Sequence, residues 1–339
     1  MNRQLRNLPI KNEYIFGAKN AVKNCLRVRA NERVTLITDE VTADIAASLL
    51  AQIDDIGAAC KTFVLEEICE RPLREAPPLV LGALAESDVA LMCVKSQIGE
   101  ISSRMQIINT VEKHNVRYAH MVGIDSKIMT QSMRADFEAV NAIGEKLERL
   151  TKTAKTIRVK TELGTDLLVT LHPQWRWRNT SGKITSETWS NLPAGEIFTC
   201  PQRVDGVFIV DGSIGDFLCW KYGCIDKTPL RLEIADGRLV KAESANEELV
   251  KDFWQYCRTA ESSDRVGEFA IGTNTSVERC IGNLLQDEKM PGAHIAFGNP
   301  AAGQTGADWD CSTHIDVIAT GCDIWIAQKQ VMERGKFLI

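Results

Sequence analysis

The chain has 339 residues and a mass of 37.6 kDa, with 44% hydrophobic and 25% charged residues, a formal net charge of −5 and a pI near 5.7. That is an ordinary globular composition, long enough for two domains with separate cores. The acidic balance argues against nucleic acid as the main partner, because phosphate binding needs clustered Lys and Arg, and no apolar run approaches the roughly 20 residues of a membrane helix.

Met1 to Lys11 is polar and lacks the apolar centre of a signal peptide. Eleven cysteines are scattered through apolar stretches without a Cys-x-x-Cys pair. Reduced, buried thiols in a cytoplasmic protein are therefore expected rather than a disulfide framework.

Residues 18–28 have helical apolar spacing at Ala18, Ala21, Val22 and Leu26. Residues 34–38 form a β-branched run that predicts a buried strand. A helix is expected over 43–56, ended by Gly57. Strands follow at 61–65, 89–94 and 116–122, and a long helix is expected over 130–151. Strands separated by helices predict a parallel sheet. The first strand-to-helix turn, Thr38-Asp39-Glu40-Val41-Thr42, has no glycine. The dinucleotide fingerprint is absent, which argues against NAD there.

The texture changes near Lys152. Alternation over 156–161, a turn at Gly164-Thr165-Asp166 and a run over 167–171 predict a hairpin. Further strands are expected at 206–211, 230–234, 238–242 and 323–327, with a turn at Asp236-Gly237 and one helix over 245–260. The predicted fold is α/β. A doubly wound, mostly parallel N-terminal domain (1–153) precedes a strand-rich mixed α/β metal-binding domain (154–339). Trp175-Arg176-Trp177-Arg178 is the one basic-aromatic cluster and is placed at a domain edge or subunit contact.

The chemistry lies between Asn191 and Asp316. Four segments there carry donors: Asn191-Leu192-Pro193-Ala194-Gly195-Glu196, Gly267-Glu268, Asp287-Glu288-Lys289-Met290-Pro291-Gly292-Ala293-His294, and Ser312-Thr313-His314-Ile315-Asp316. A Gly-Glu pair alone is commonly a solvated loop, and a lone histidine in an apolar strand is commonly a satisfied core residue. The weight rests on their occurring together. His314 and Asp316 fall on one face if the segment is a strand, and burying both unpaired would be costly. Glu196, Glu268, Glu288, His294, His314 and Asp316 make six oxygen and nitrogen donors, suited to one or two divalent ions such as Zn, Co, Mn or Fe. Carboxylates can bridge two ions about 3.5–4 Å apart that polarise a carbonyl and activate water.

The blocks Leu192-Pro193-Ala194-Gly195-Glu196-Ile197-Phe198-Thr199-Cys200-Pro201, Val266-Gly267-Glu268-Phe269-Ala270-Ile271-Gly272-Thr273-Asn274, Asp287-Glu288-Lys289 with His294-Ile295-Ala296-Phe297-Gly298, and Ser312 with His314-Ile315-Asp316 resemble the signature blocks of the aminopeptidase T / aminopeptidase S family of metallopeptidases. They occur in family order and span most of the second domain. The resemblance implies two divalent ions (Zn, Co or Mn/Mg), a small peptide or amide substrate and a homodimer. It makes Glu196 and Glu268 the bridging, catalytic carboxylates, with Glu288, His294, His314 and Asp316 completing the metal ligands. The chain departs from the family at Ala301, where the aminopeptidases carry a tyrosine seven residues after the histidine of the third block. Relatives of the same fold, the 2,5-dihydroxypyridine dioxygenases, imply an alternative: one Fe(II) held by two histidines and an aspartate, cleaving an aromatic ring with O2. Their third ligand is a histidine where this chain has Glu268. Retention of Glu196, Glu268 and Glu288 therefore favours hydrolysis.

Overall fold

A computed structural model describes residues 5–339, with the backbone alone of Asp216. The chain divides into two compact units, Met1–Phe137 with Gly182–Ala194, and Glu138–Ser181 with Gly195–Ile339. The sequence reading put a single boundary at 153. The fold instead turns over at 137, and 182–194 returns to the first unit to add a short strand, Ser190–Asn191, to its sheet.

The first unit holds a five-stranded sheet whose pairings are all parallel. Its order is Ala59–Val64, Arg33–Thr38, Val89–Val94, Arg117–Val122 and Ser190–Asn191. Helices Ala43–Ile56, Pro78–Ala85 and Ile101–Lys113 connect the strands. Gly57 ends the first of these in the left-handed region, as its lack of a Cβ permits. Ligands of open parallel sheets collect at the carboxyl ends of the strands. Here that end carries a buried ion-pair network. Asp39 follows the first strand and accepts hydrogen bonds from Thr42 and the Lys95 amide, and Arg71 bridges Asp39 and Glu100 with all three side chains almost fully buried.

Two expectations need correction. The helix predicted over 130–151 is broken. A short helix Ser126–Thr130 and a tight turn precede Phe137–Thr151, with Ala135 extended between them. The buried Asn20 amide takes the Met133 and Ala135 carbonyls at 2.8 and 2.9 Å, so a tertiary contact satisfies groups the helix would have used. The helix predicted over 18–28 is an α-helix Asn12–Lys19 running into a wider π turn, Asn20–Cys25.

The second unit pairs an eight-stranded sheet with a five-stranded one. The expected hairpin is present as antiparallel strands Thr156–Lys160 and Asp166–Leu171. The five-stranded sheet runs His314–Ala319, Gly292–Gly298, Val266–Gly272, Glu196–Thr199 and Arg178–Thr180, antiparallel throughout. One face of it sends Ile197, Phe269, Ile271, Ile295, Phe297, Ile315 and Val317 into a core shared with Ile157, Val169, Phe208 and Leu232 of the larger sheet. Strand residues alternate between faces, so the residues between these apolar positions all emerge on the other face. Among the described residues no helix is long and apolar enough to cross a membrane, and all eleven cysteines are free thiols.

Candidate metal centre

That other face carries the donors. Glu196 pairs with Gly272, Glu268 with Ala296, His294 with Ala270 and Ile318, Asp316 with Ala296, and His314 with Gly298. Directly opposed residues in an antiparallel pair share a face, so five donors from four strands point the same way. Their cross-strand neighbours are mostly alanine and glycine.

The strands reach this arrangement through one irregularity. The pairing register shifts between Val266 and Glu268, making Gly267 the extra residue of a β-bulge. A Cβ on Gly267 would lie 2.0 Å from the Gly298 carbonyl oxygen. The Gly-Glu dipeptide thus has a mechanical meaning, since only glycine lets the backbones approach so closely beside the donor.

Ligand atoms of Glu196, Glu268 and His294 lie within 4.8 Å of one another, and all three residues are buried. His294 Nε2 is 3.5 Å from Glu196 Oε2, 3.4 Å from Glu268 Oε1 and 4.0 Å from Asp316 Oδ1. Yet this buried nitrogen makes no hydrogen bond among the described residues. An orphaned nitrogen ringed by carboxylates at these spacings fits a cation. Donors about 2.0–2.2 Å from a tetrahedral zinc ion stand about 3.3–3.6 Å from one another.

His314 completes the rim. Its Nε2 is 3.3 Å from Asp316 Oδ2, and its Nδ1 is 3.2 Å from the Asn299 carbonyl. A carbonyl on Nδ1 directs the Nε2 lone pair inward in the neutral ring, as metal-ligating histidines require. Tyr256 fixes the backbone here, its hydroxyl donating to the His314 carbonyl at 2.8 Å. The pocket's charges hold protons unequally. Burial disfavours the Asp316 anion, but His314 in its protonated form, with His294 and Lys289, more than offsets this and draws its pKa down to about 2. Burial lowers the His294 pKa, and Glu268, Glu196 and Asp316 outweigh it, bringing it to about 8. The His314 side chain is 38% exposed, so solvent screens its attraction to Asp316.

Sequence reasoning left Lys289 without a role. Its side chain is 1% exposed, and its Nζ lies 2.6 Å from both Glu196 Oε1 and Glu288 Oε1. Burial opposes its charge, but the two carboxylates hold its pKa above the ordinary lysine value. Thr180 Oγ1 also donates to Glu196 Oε1 at 3.1 Å. Glu288 is therefore beside the cluster as a partner of Lys289, and burial pushes its pKa up to about 8 against the pull of that ammonium. Asp287 faces elsewhere, accepting from the amides of Ile281, Gly282 and Asn283 and from Ser213. The one signal that could have found Lys289 is its place beside Glu288 in a segment otherwise read for donors.

Other polar and aromatic side chains take structural places. Arg176 binds the carbonyls of Gln304 and Gly303, tying down the loop that contains Ala301, and Trp177 packs edge-on against Phe269. Trp309 lies under the Arg265 guanidinium at 4.0 Å. Tyr222 hydrogen-bonds Asp252. His120 is buried against Tyr118 and Trp189.

No curated protein matches the chain. Among the solved structures that share its fold are two that cover nearly the whole chain. One is wild-type AmpT from Thermus thermophilus, at 17% identity and a TM-score of 0.70, covering 97% of this chain and 99% of that one. The other is a 2,5-dihydroxypyridine dioxygenase from Pseudomonas putida KT2440, at 16% identity and a TM-score of 0.69, covering 97% and 98%. At such identities the likeness is one of fold alone. The family model for thermophilic metalloproteases (M29) matches residues 110–314, a stretch that holds five of the six expected donors and more than half of the chain. By that match, and with a buried donor cluster that fits a cation, the chain belongs to the thermophilic metalloprotease (M29) family.

Proposed function

We propose that this chain is a metal-dependent hydrolase of aminopeptidase type, removing the N-terminal residue of a small peptide or splitting a small amide. The observation that carries the reading is the unbonded His294 Nε2 facing the carboxylates of Glu196, Glu268 and Asp316. Glu196, Glu268, His294 and Asp316 would hold the ion, with His314 at the exposed rim. A divalent ion bound there supplies a Lewis acid for the substrate carbonyl and brings a bound water's pKa towards neutrality.

The protein's own groups do the rest. Glu196 already accepts hydrogen bonds from Thr180 and Lys289 at Oε1, which fixes its orientation. We therefore assign to Glu268 the transfer of a proton from water to the departing amine, the usual task of a carboxylate beside an activated water. Tyr256 holds the His314 backbone and acts only through that residue.

Ring cleavage by a ferrous centre is the competing reading, because the fold matches a dioxygenase as well as it matches AmpT. The carboxylate at 268 and the buried Glu196 favour hydrolysis. An anaerobic assay on amino-acid amides with Zn, Co, Mn and Fe compared is the test. Free amine should appear without O2, and Glu268→Ala should abolish it while remaining folded. Oxygen uptake with 2,5-dihydroxypyridine under Fe(II), without amine release, would overturn the proposal.

A further inference from the structure

We propose that Lys289 takes, with its own ammonium, the place a second cation would occupy, so that this centre binds one divalent ion and not two. The inference rests on the reading of the cluster as a metal site. Its ground is how Glu196 divides its two oxygens. Oε2 faces His294 Nε2 at 3.5 Å, while Oε1 lies 2.6 Å from Lys289 Nζ. A carboxylate bridging two ions would offer one oxygen to each. Here one oxygen looks into the donor cluster and the other is met by a nitrogen cation. The same Nζ lies 2.6 Å from Glu288 Oε1, so it joins two carboxylates as a bridging ion would.

The lysine is built in. Its side chain is 1% exposed, its carbonyl accepts from the Asn274 amide at 2.9 Å, and its own amide donates to the Gln286 carbonyl at 2.9 Å. An ion bound to Glu196 Oε1 on that side would collide with Nζ and be repelled by it. Swinging the lysine out would leave two buried carboxylates without their partner, which is strongly unfavourable. Glu288 is thereby withdrawn from the ligand set. The ligand atoms of Glu196, Glu268 and His294 remain, all within 4.8 Å of one another, with Asp316 Oδ1 4.0 Å from His294 Nε2, a donor set that suits one ion. The six-donor, two-ion expectation is replaced by a centre with one exchangeable cation and one that a chelator cannot remove.

The experiment is a metal count on the full chain. Chelator-stripped protein is titrated with Mn2+ and gel-filtered. Bound ions are counted by mass spectrometry, and electron paramagnetic resonance distinguishes an isolated Mn2+ from a spin-coupled pair. The wild type and Lys289→Arg should each bind one ion with an uncoupled spectrum. Lys289→Asn, which removes the charge and leaves an oxygen donor, should bind two with a coupled one. Two ions in the wild type, or one in a folded Lys289→Asn, would overturn the inference and leave the hydrolase reading standing. No ion in the wild type would overturn both. If Lys289→Asn does not fold, the wild-type spectrum decides alone.

Discussion

Histidine shows how far surroundings decide a residue's chemistry. His120 and His294 both lie in apolar strands and are both buried, and the strand around each does not by itself tell them apart. Around His294 three carboxylates outweigh burial and raise the pKa. Around His120 burial acts first, Arg104 adds to it, and the pKa falls to about 3 from 6.5. Its Nδ1 meets the Tyr118 hydroxyl at 2.9 Å. As pH falls, the unfolded chain takes up this proton first. Stability is therefore lost between about pH 6.5 and pH 3, at up to roughly 1.4 kcal/mol per pH unit. We expect urea midpoints of the wild type to drop more steeply over this window than those of His120→Gln. Parallel curves would show that His120 does not set the acid limb.

At the scale of elements, the donor sheet explains why the motifs were readable. Ala293 to Phe297 and Ile315 to Ile318 are apolar enough to announce strands, so the donors embedded in them stood out. What could not be read was the bulge at Gly267, which depends on the neighbouring strand. A methyl at Gly267 meets the Gly298 carbonyl oxygen, and relieving that contact shifts Glu268. Overpacking of this kind costs on the order of 1–3 kcal/mol. Gly267→Ala should therefore lower the melting temperature and weaken ion binding together, as isothermal titration with Zn2+ would show. Unchanged affinity would mean the bulge does not aim the donor. The helix Ile101–Lys113 escaped sequence reading because its window is largely polar and buries only Ser103, Ile107, Ile108 and Val111. The helix predicted through Ala135 failed for the opposite reason. There the Asn20 side chain takes the Met133 and Ala135 carbonyls, contacts that depend on a segment more than a hundred residues away.

Across the whole molecule, the proposed ion site would link ion binding to folding. An ion that binds only the folded donor cluster stabilises it by about 2.7 kcal/mol at roughly a hundredfold excess over Kd. For a unit of this size that raises the melting temperature by roughly 5–10 °C. Chelator-treated protein should melt lower than protein with Zn2+ or Co2+, and the difference should vanish in Glu268→Ala. An equal shift in both would place the ion elsewhere. The linkage would arise because Glu196, Glu268 and His294 come from three strands and meet only when the sheet is formed. From the sequence alone came the α/β character, the order of most strands and the family resemblance, because each is carried by local pattern or short motif. Tertiary structure alone decided the unit boundary at 137, the bulge that aims Glu268, the orphaned nitrogen of His294 and the lysine seated between two glutamates. Those features depend on which distant segments lie side by side, and local pattern does not encode the distance between two side chains that are 93 residues apart in the chain, as Glu196 and Lys289 are.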